Sequence, residues 1–241
     1  MFIKQLLFLF LFLSVLSSFG ERALAQSAPQ QFVVTYVEFK PGDTKAGAQM
    51  LDELAANAEH SSGIVNFDVV QQIGRPTFFA LFEVWSTAQA FSDFQNSSAT
   101  QDLLTRLTPL LEAPLDQRPG NLLAGNVSTR SQYAENSQFG ENSQIFVITH
   151  VDSDPQFVTQ ITPLLDTFVS DSLQDSGVQT FGLLSQAGTT NHFQLVETFR
   201  DQRAFNAHVS AQHTVDFRNS TAGFLGAPYD ERLYNFVNRG R

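Results

Sequence analysis

Displaced against itself by 114 positions, the sequence falls into one ungapped register from Phe32 to Arg241. FVVTYV (Phe32–Val37) lands on FVITHV (Phe146–Val151), Pro41 on Pro155, and Leu51-Asp52 on Leu165-Asp166. Farther along, SGIVNF (Ser62–Phe67) lands on SGVQTF (Ser176–Phe181), Gly74 on Gly188, and FALFE (Phe79–Glu83) on FQLVE (Phe193–Glu197). APLDQR (Ala113–Arg118) falls on APYDER (Ala227–Arg232). About two dozen identities in a single register identify a duplicated unit of about 95 residues. That period is too long for a solenoid and suits a small domain, so the chain must build the same domain twice.

Each copy reads strand, helix, strand, strand, helix, strand. QFVVTYVEF (31–39) is β-branched and aromatic with alternation and stops at Pro41-Gly42, whereas DTKAGAQMLDELAANAEHS (43–61) is rich in Ala, Leu and Glu at helical spacing. IVNFDVVQQ (64–72) and TFFALFEVW (77–85) flank the turn IGRP, a hairpin signal. TAQAFSDF (87–94) and TQDLLTRLTPLLEA (100–113) predict a broken second helix closed by Pro114. This βαββαβ order is the ferredoxin-like split unit, an α+β fold with helices on one face of an antiparallel sheet. The other face is left bare, and the second copy supplies the cover. The expectation is two tandem ferredoxin-like modules, residues 31–125 and 144–241, packing sheet to sheet and closing into a barrel within one chain. Between them, residues 126–143 are polar and aperiodic and read as a linker.

The first 25 residues combine Lys4, an apolar run from Leu6 to Phe19 and a small-x-small site at Ala23-Leu24-Ala25, the pattern of a cleaved secretory signal peptide. The expected location is therefore exported, periplasmic or secreted, with no membrane contact after cleavage. Cleavage takes away Lys4, Arg22 and Glu21 and moves the formal net charge from −10 to about −11, which argues against nucleic acid as a partner. Cysteine is absent, so disulfides, thiolate metal sites and cysteine nucleophiles are all excluded.

Candidate chemistry is unevenly shared. ETFRDQRAFNAHVSAQHTVDF (Glu197–Phe217) carries His208 and His213, whereas its counterpart EVWSTAQAFSDFQNSSATQDL (Glu83–Leu103) has Phe94 and Ala99 at those positions. Alternation puts Phe193, Leu195, Glu197 and Phe199 on one face, and Phe79, Leu81, Glu83 and Trp85 on the equivalent one, so each copy sets a lone carboxylate among apolar residues. Such a carboxylate either accepts a structural bond from backbone or arginine, or anchors a ligand at a pocket rim. His208 and His213 stand about 140° apart on a continuous helix, so they converge only if the chain breaks at Val209–Gln212. An imidazole titrating near pH 6.5 suits removal of a phenolic proton, although ordinary surface histidines fit the same pattern. His150, opposite Tyr36 in the first strands, and His192 add two more imidazoles to the second copy. No H-x-H, H-x3-H or HExxH spacing occurs, so no metal is expected, and phosphate-loop, dinucleotide and serine-nucleophile motifs are missing.

The run Glu197-Thr-Phe-Arg-Asp-Gln-Arg-Ala-Phe-Asn-Ala-His208, with His213 five residues on, resembles the signature of the antibiotic biosynthesis monooxygenase domain family. FEVWSTAQAFSDF resembles the same segment without its histidines. The resemblance covers both copies and implies a dimeric α/β barrel, here made in cis as an intrachain pseudo-dimer open to further homo-oligomerisation. It also implies cofactor-free oxidation of a quinol or polyphenolic aromatic by O2. On that footing His208, His213 and Glu197 are candidate catalytic residues. Tyr36, Glu83, Trp85, His150, His192 and Phe199 are candidate substrate contacts, and no cofactor is expected. A non-catalytic barrel that binds a small apolar or aromatic ligand is the alternative. Haem degradation, suggested by Trp85 in VWSTAQAFSDF, is a lesser one, since the histidine a haem would need is missing from that segment.

Overall fold

The computed structural model describes residues 29–127 and 144–239. The leader expected at 1–25 and nearly all of the linker expected at 126–143 lie outside the described residues; Asn126 itself ends a strand. The first copy runs β1 (Gln31–Glu38), α1 (Thr44–Glu59), β2 (Ile64–Gln72), β3 (Phe78–Trp85), α2 (Ala88–Asn96), α3 (Ser98–Leu107) and β4 (Asp116–Asn126). The second repeats it as β5 (Ile145–Asp152), α4 (Val158–Ser172), β6 (Val178–Gln186), β7 (His192–Phe199), α5 (Gln202–Val209), α6 (Gln212–Thr221) and β8 (Asp230–Arg239). Both second helices break where the sequence predicts. Local chemistry sets the starts: Thr87, Ser97 and Asp201 each accept a bond from the backbone N–H three residues on, capping α2, α3 and α5. The first copy's helical region ends in a short 3-10 turn at Thr108–Leu110, before Pro114 rather than at it.

The strands close into one eight-stranded barrel in the order β1-β3-β2-β8-β5-β7-β6-β4. Covering one sheet with another was expected face to face. The structure also joins the sheets at their edges, which removes every unpaired edge. The last strand of each copy makes the join. Asp116–Gly120 of β4 pairs with β1 of its own copy, and Gly120–Asn126 pairs with β6 of the other. Likewise Asp230–Tyr234 of β8 pairs with β5, and Tyr234–Arg239 with β2.

Strand alternation then sorts the side chains into three cores. One lies between the first sheet and α1–α3, built from Leu51, Phe67, Leu81, Trp85 and Phe94. Its repeat lies between the second sheet and α4–α6, with Leu165, Phe181, Leu195, Phe199 and Phe217. The third fills the barrel with Phe32, Val34, Phe82, Phe146, Ile148, Val196 and Tyr234. The lone carboxylates, Glu83 and Glu197, face the helices, whereas Tyr36 and His150 belong to the barrel lumen. Among the described residues no helix is long and apolar enough to cross a membrane.

Candidate functional site

Under α5 and α6 the second copy gathers its polar groups. α5 ends at Val209 and α6 begins at Gln212, and that two-residue gap re-aims the chain so that the His208 and His213 rings come within 5.6 Å. His208 is buried and ringed by Phe168, Phe181 and Phe199 at 5.7, 5.4 and 5.2 Å. Its Nδ1 stands 2.8 Å from Oδ2 of Asp175, in the turn before β6. A carboxylate only accepts, so Nδ1 carries the proton and Nε2 keeps its lone pair. Burial holds the His208 pKa below the ordinary histidine value, against the opposing pull of Asp175, and the ring is therefore a neutral proton acceptor at neutral pH. His213 Nε2 approaches the same Asp175 oxygen at 3.3 Å without hydrogen-bond geometry.

Glu197, 4% exposed, receives the Thr149 hydroxyl at 3.3 Å. Desolvation, with a smaller push from Glu231, raises its pKa to about 8, so the carboxyl is protonated and offers an O–H at neutral pH. Glu197 and His208 line one small cavity with Phe168, Leu195, Phe217 and Tyr229, and the Arg218–Glu231 pair, 2.7 Å apart, stands at its edge. The cavity measures about 20 Å³, room for one water. A second hollow of about 200 Å³ lies between α4 and α6, bordered by His213, Asp171 and Asp216. Phe168 and Phe217, stacked at 4.0 Å, form the wall common to both.

The first copy has filled the same place. Phe94 stands where His208 would, its ring 4.8 Å from Trp85. Glu83 takes a bond from Trp85 Nε1 at 3.0 Å and the Thr35 hydroxyl at 3.5 Å, and burial raises its pKa to about 7. A hollow of about 380 Å³ beside Ser61, Ser86, Asp93 and Phe94 is lined by hydroxyls and has no imidazole.

Of the residues singled out from sequence, the fold therefore brings His208, His213, Glu197 and Phe199 together. Glu83 and Trp85 share a different, sealed core. Tyr36 and His150 meet in the barrel lumen, where a hydroxyl and Nε2 lie 2.6 Å apart. Arg118 approaches His150 Nδ1 at 3.3 Å, and desolvation with Arg118 and Arg232 lowers the His150 pKa to about 4. An arginine only donates, so Nδ1 accepts and Nε2–H donates to Tyr36. His192 sits at the start of β7, partly exposed beside Asp152 at 3.1 Å. The donors found by Glu83 and Glu197 are Thr and Trp side chains rather than backbone or arginine. Asp175, Phe168, Phe217 and Tyr229 were missed from sequence. A signal existed: Asp175 and Tyr229 replace Ser61 and Leu115, just as His208 and His213 replace Phe94 and Ala99.

The model for the family described as antibiotic biosynthesis monooxygenase matches residues 31–122 and again 144–220. The chain belongs to that family. Solved folds similar to it include a Fusobacterium nucleatum protein described as a monooxygenase, with TM-score 0.75, 14% identity, and 89% of this chain and 95% of that one covered. A Lactobacillus acidophilus protein of the same description is similar at TM-score 0.68 and 9% identity, covering 88% and 95%. A protein described as anthrone oxidase-like is similar at TM-score 0.65 and 9% identity, covering 87% and 92%. Identities this low speak for the fold, and the coverage shows that those single chains hold both copies as well. No curated protein sequence matches this chain at a significant level.

Proposed function

We propose that the second copy oxidises a quinol or polyphenolic aromatic with O2 without a cofactor, using His208 as the base. The observation that carries the reading is the Asp175–His208 pair at 2.8 Å, which frees Nε2 as an acceptor beside a Phe-lined cavity. Removing a proton from an anthrone or quinol gives an electron-rich anion that reduces O2 directly. For an anthrone, the ring carbon gains one oxygen atom as a carbonyl, two hydrogens leave it, and the second oxygen atom departs as water. The reaction is thus balanced by O2 alone. Neutral Glu197 donates its O–H to the developing oxyanion, and the phenylalanines exclude water. With the leader expected at 1–25, the reading places this chemistry outside the cytoplasm.

Ligand pockets for drug-sized molecules measure about 300–1,000 Å³, so the cavity admits an aromatic ring only when the wall of Phe168 and Phe217 turns aside and joins it to the hollow outside. The test is oxygen uptake by the purified, metal-stripped chain on anthrones and naphthohydroquinones. Anthrones come first because one similar fold is described as anthrone oxidase-like. Uptake that falls by about 10²–10⁴ in His208→Ala supports the assignment. Uptake unchanged by that substitution contradicts it. Binding of these compounds by the wild-type chain with no uptake favours a carrier barrel instead.

A further inference from the structure

The same corner of the second copy also has the donor set of a metal site. The nearest donor atoms of Asp175, His208 and His213 all lie within 4.8 Å of one another. Two donors bound to one ion at about 2.0–2.1 Å stand roughly 3.0–3.4 Å apart in octahedral or tetrahedral geometry. Asp175 Oδ2 already lies 2.8 and 3.3 Å from the two imidazole nitrogens, so only the imidazoles must draw closer to each other. His213 Nε2 is a buried atom with no hydrogen-bond partner, a donor facing the carboxylate with nothing to do.

Three segments of chain hold these groups: the turn before β6, the last turn of α5, and the start of α6. The solvent side is acidic. Asp171 and Asp216 border the hollow that contains His213, and with Asp175 they draw cations toward the two imidazoles. Two imidazoles and a carboxylate suit zinc, cobalt, nickel or ferrous iron rather than magnesium or calcium. These donors fall outside the H-x-H, H-x3-H and HExxH spacings because the third lies 33 residues before His208 and a chain break turns His213 inward.

We propose that Asp175, His208 and His213 bind a first-row divalent transition-metal ion, with water completing its coordination. The binding claim stands on geometry, and only its consequence for turnover rests on the oxidation reading. An ion on Nδ1 leaves the proton of His208 on Nε2, so occupancy and action as a base exclude each other. A metal of this class is accordingly an inhibitor of the oxidation, and removing it restores turnover.

The test is titration of the untagged, chelator-stripped full chain with Co2+, without substrate, following the visible d–d absorption and equilibrium dialysis. One equivalent should bind, with affinity at least about tenfold weaker in Asp175→Ser and in His213→Ala, which install the first copy's residues. Should Asp175→Ser fail to fold by circular dichroism, the partly exposed His213→Ala makes the same comparison. Absence of bound Co2+ in the wild-type chain, or equal binding by the folded variants, overturns the proposal. Because no substrate is present, a chain inactive toward quinols still gives a metal result, and an active one without metal refutes only the metal site.

Discussion

The two copies share a backbone plan and differ in what fills the space between sheet and helices. In the first, Trp85 and Phe94 pack at 4.8 Å and the Trp85 indole N–H satisfies Glu83. In the second, Phe199 is smaller than its counterpart Trp85, His208 replaces Phe94, and Asp175 replaces Ser61. The freed volume holds an imidazole hydrogen-bonded to Asp175 and a cavity that Glu197 lines. Fusion permits this division of labour. A homodimer must keep two equal sites, whereas a tandem chain can seal one and work with the other.

The sharpest stability contrast is between the two buried carboxyls. Each has a folded pKa above the ordinary 4.5, about 7 for Glu83 and about 8 for Glu197. Below pH 4.5 both folded and unfolded chains are protonated and neither group costs anything. Above it the unfolded chain ionises first, so stability falls until the folded group ionises too. The loss for Glu83 amounts to about 3 kcal/mol by pH 7, and that for Glu197 continues to about pH 8. Glu83→Gln and Glu197→Gln should each flatten the urea-midpoint curve over its own window. Equal, pH-independent changes would dissolve the contrast.

The seams differ as well. Where β4 meets β6, Gly125 pairs with Gly182; at the related seam Arg239 pairs with Asp68. Gly125 has φ +79°, and a Cβ there would fall on the Phe181 carbonyl and press on Val169. Gly125→Ala should therefore cost at least about 2 kcal/mol, read as a lower thermal midpoint, with the barrel opening first along β4 and β6 in hydrogen exchange. Protection lost first along β2 and β8 would reverse that ranking.

Much of this was legible before the structure. The offset of 114 predicts the two copies, and period-two alternation puts Glu83 and Glu197 each on one face with apolar neighbours, although only the structure shows that this face meets the helices. The 140° between His208 and His213 on an unbroken helix makes their convergence depend on a break at Val209–Gln212, and the structure has one there. What escaped depends on relations across the chain. Tyr36 and His150 meet because the pseudo-twofold axis runs down the barrel lumen, and no local pattern announces that. Asp175 lies in a turn, where an acid is unremarkable until the helix break brings two imidazoles over it. Subtracting one copy from the other would have exposed it, since the polar replacements at Asp175, His208, His213 and Tyr229 share one corner of the fold.

If the second copy works and the first only packs, exchanging residues between them must have unequal effects. His208→Phe gives the second copy the first's residue, and Trp85→Phe gives the first the second's. Oxygen uptake on an accepted anthrone or quinol should fall by at least about 100-fold in His208→Phe and stay within about twofold of wild type in Trp85→Phe. Uptake that survives His208→Phe, or disappears with Trp85→Phe in a folded chain, would contradict the account.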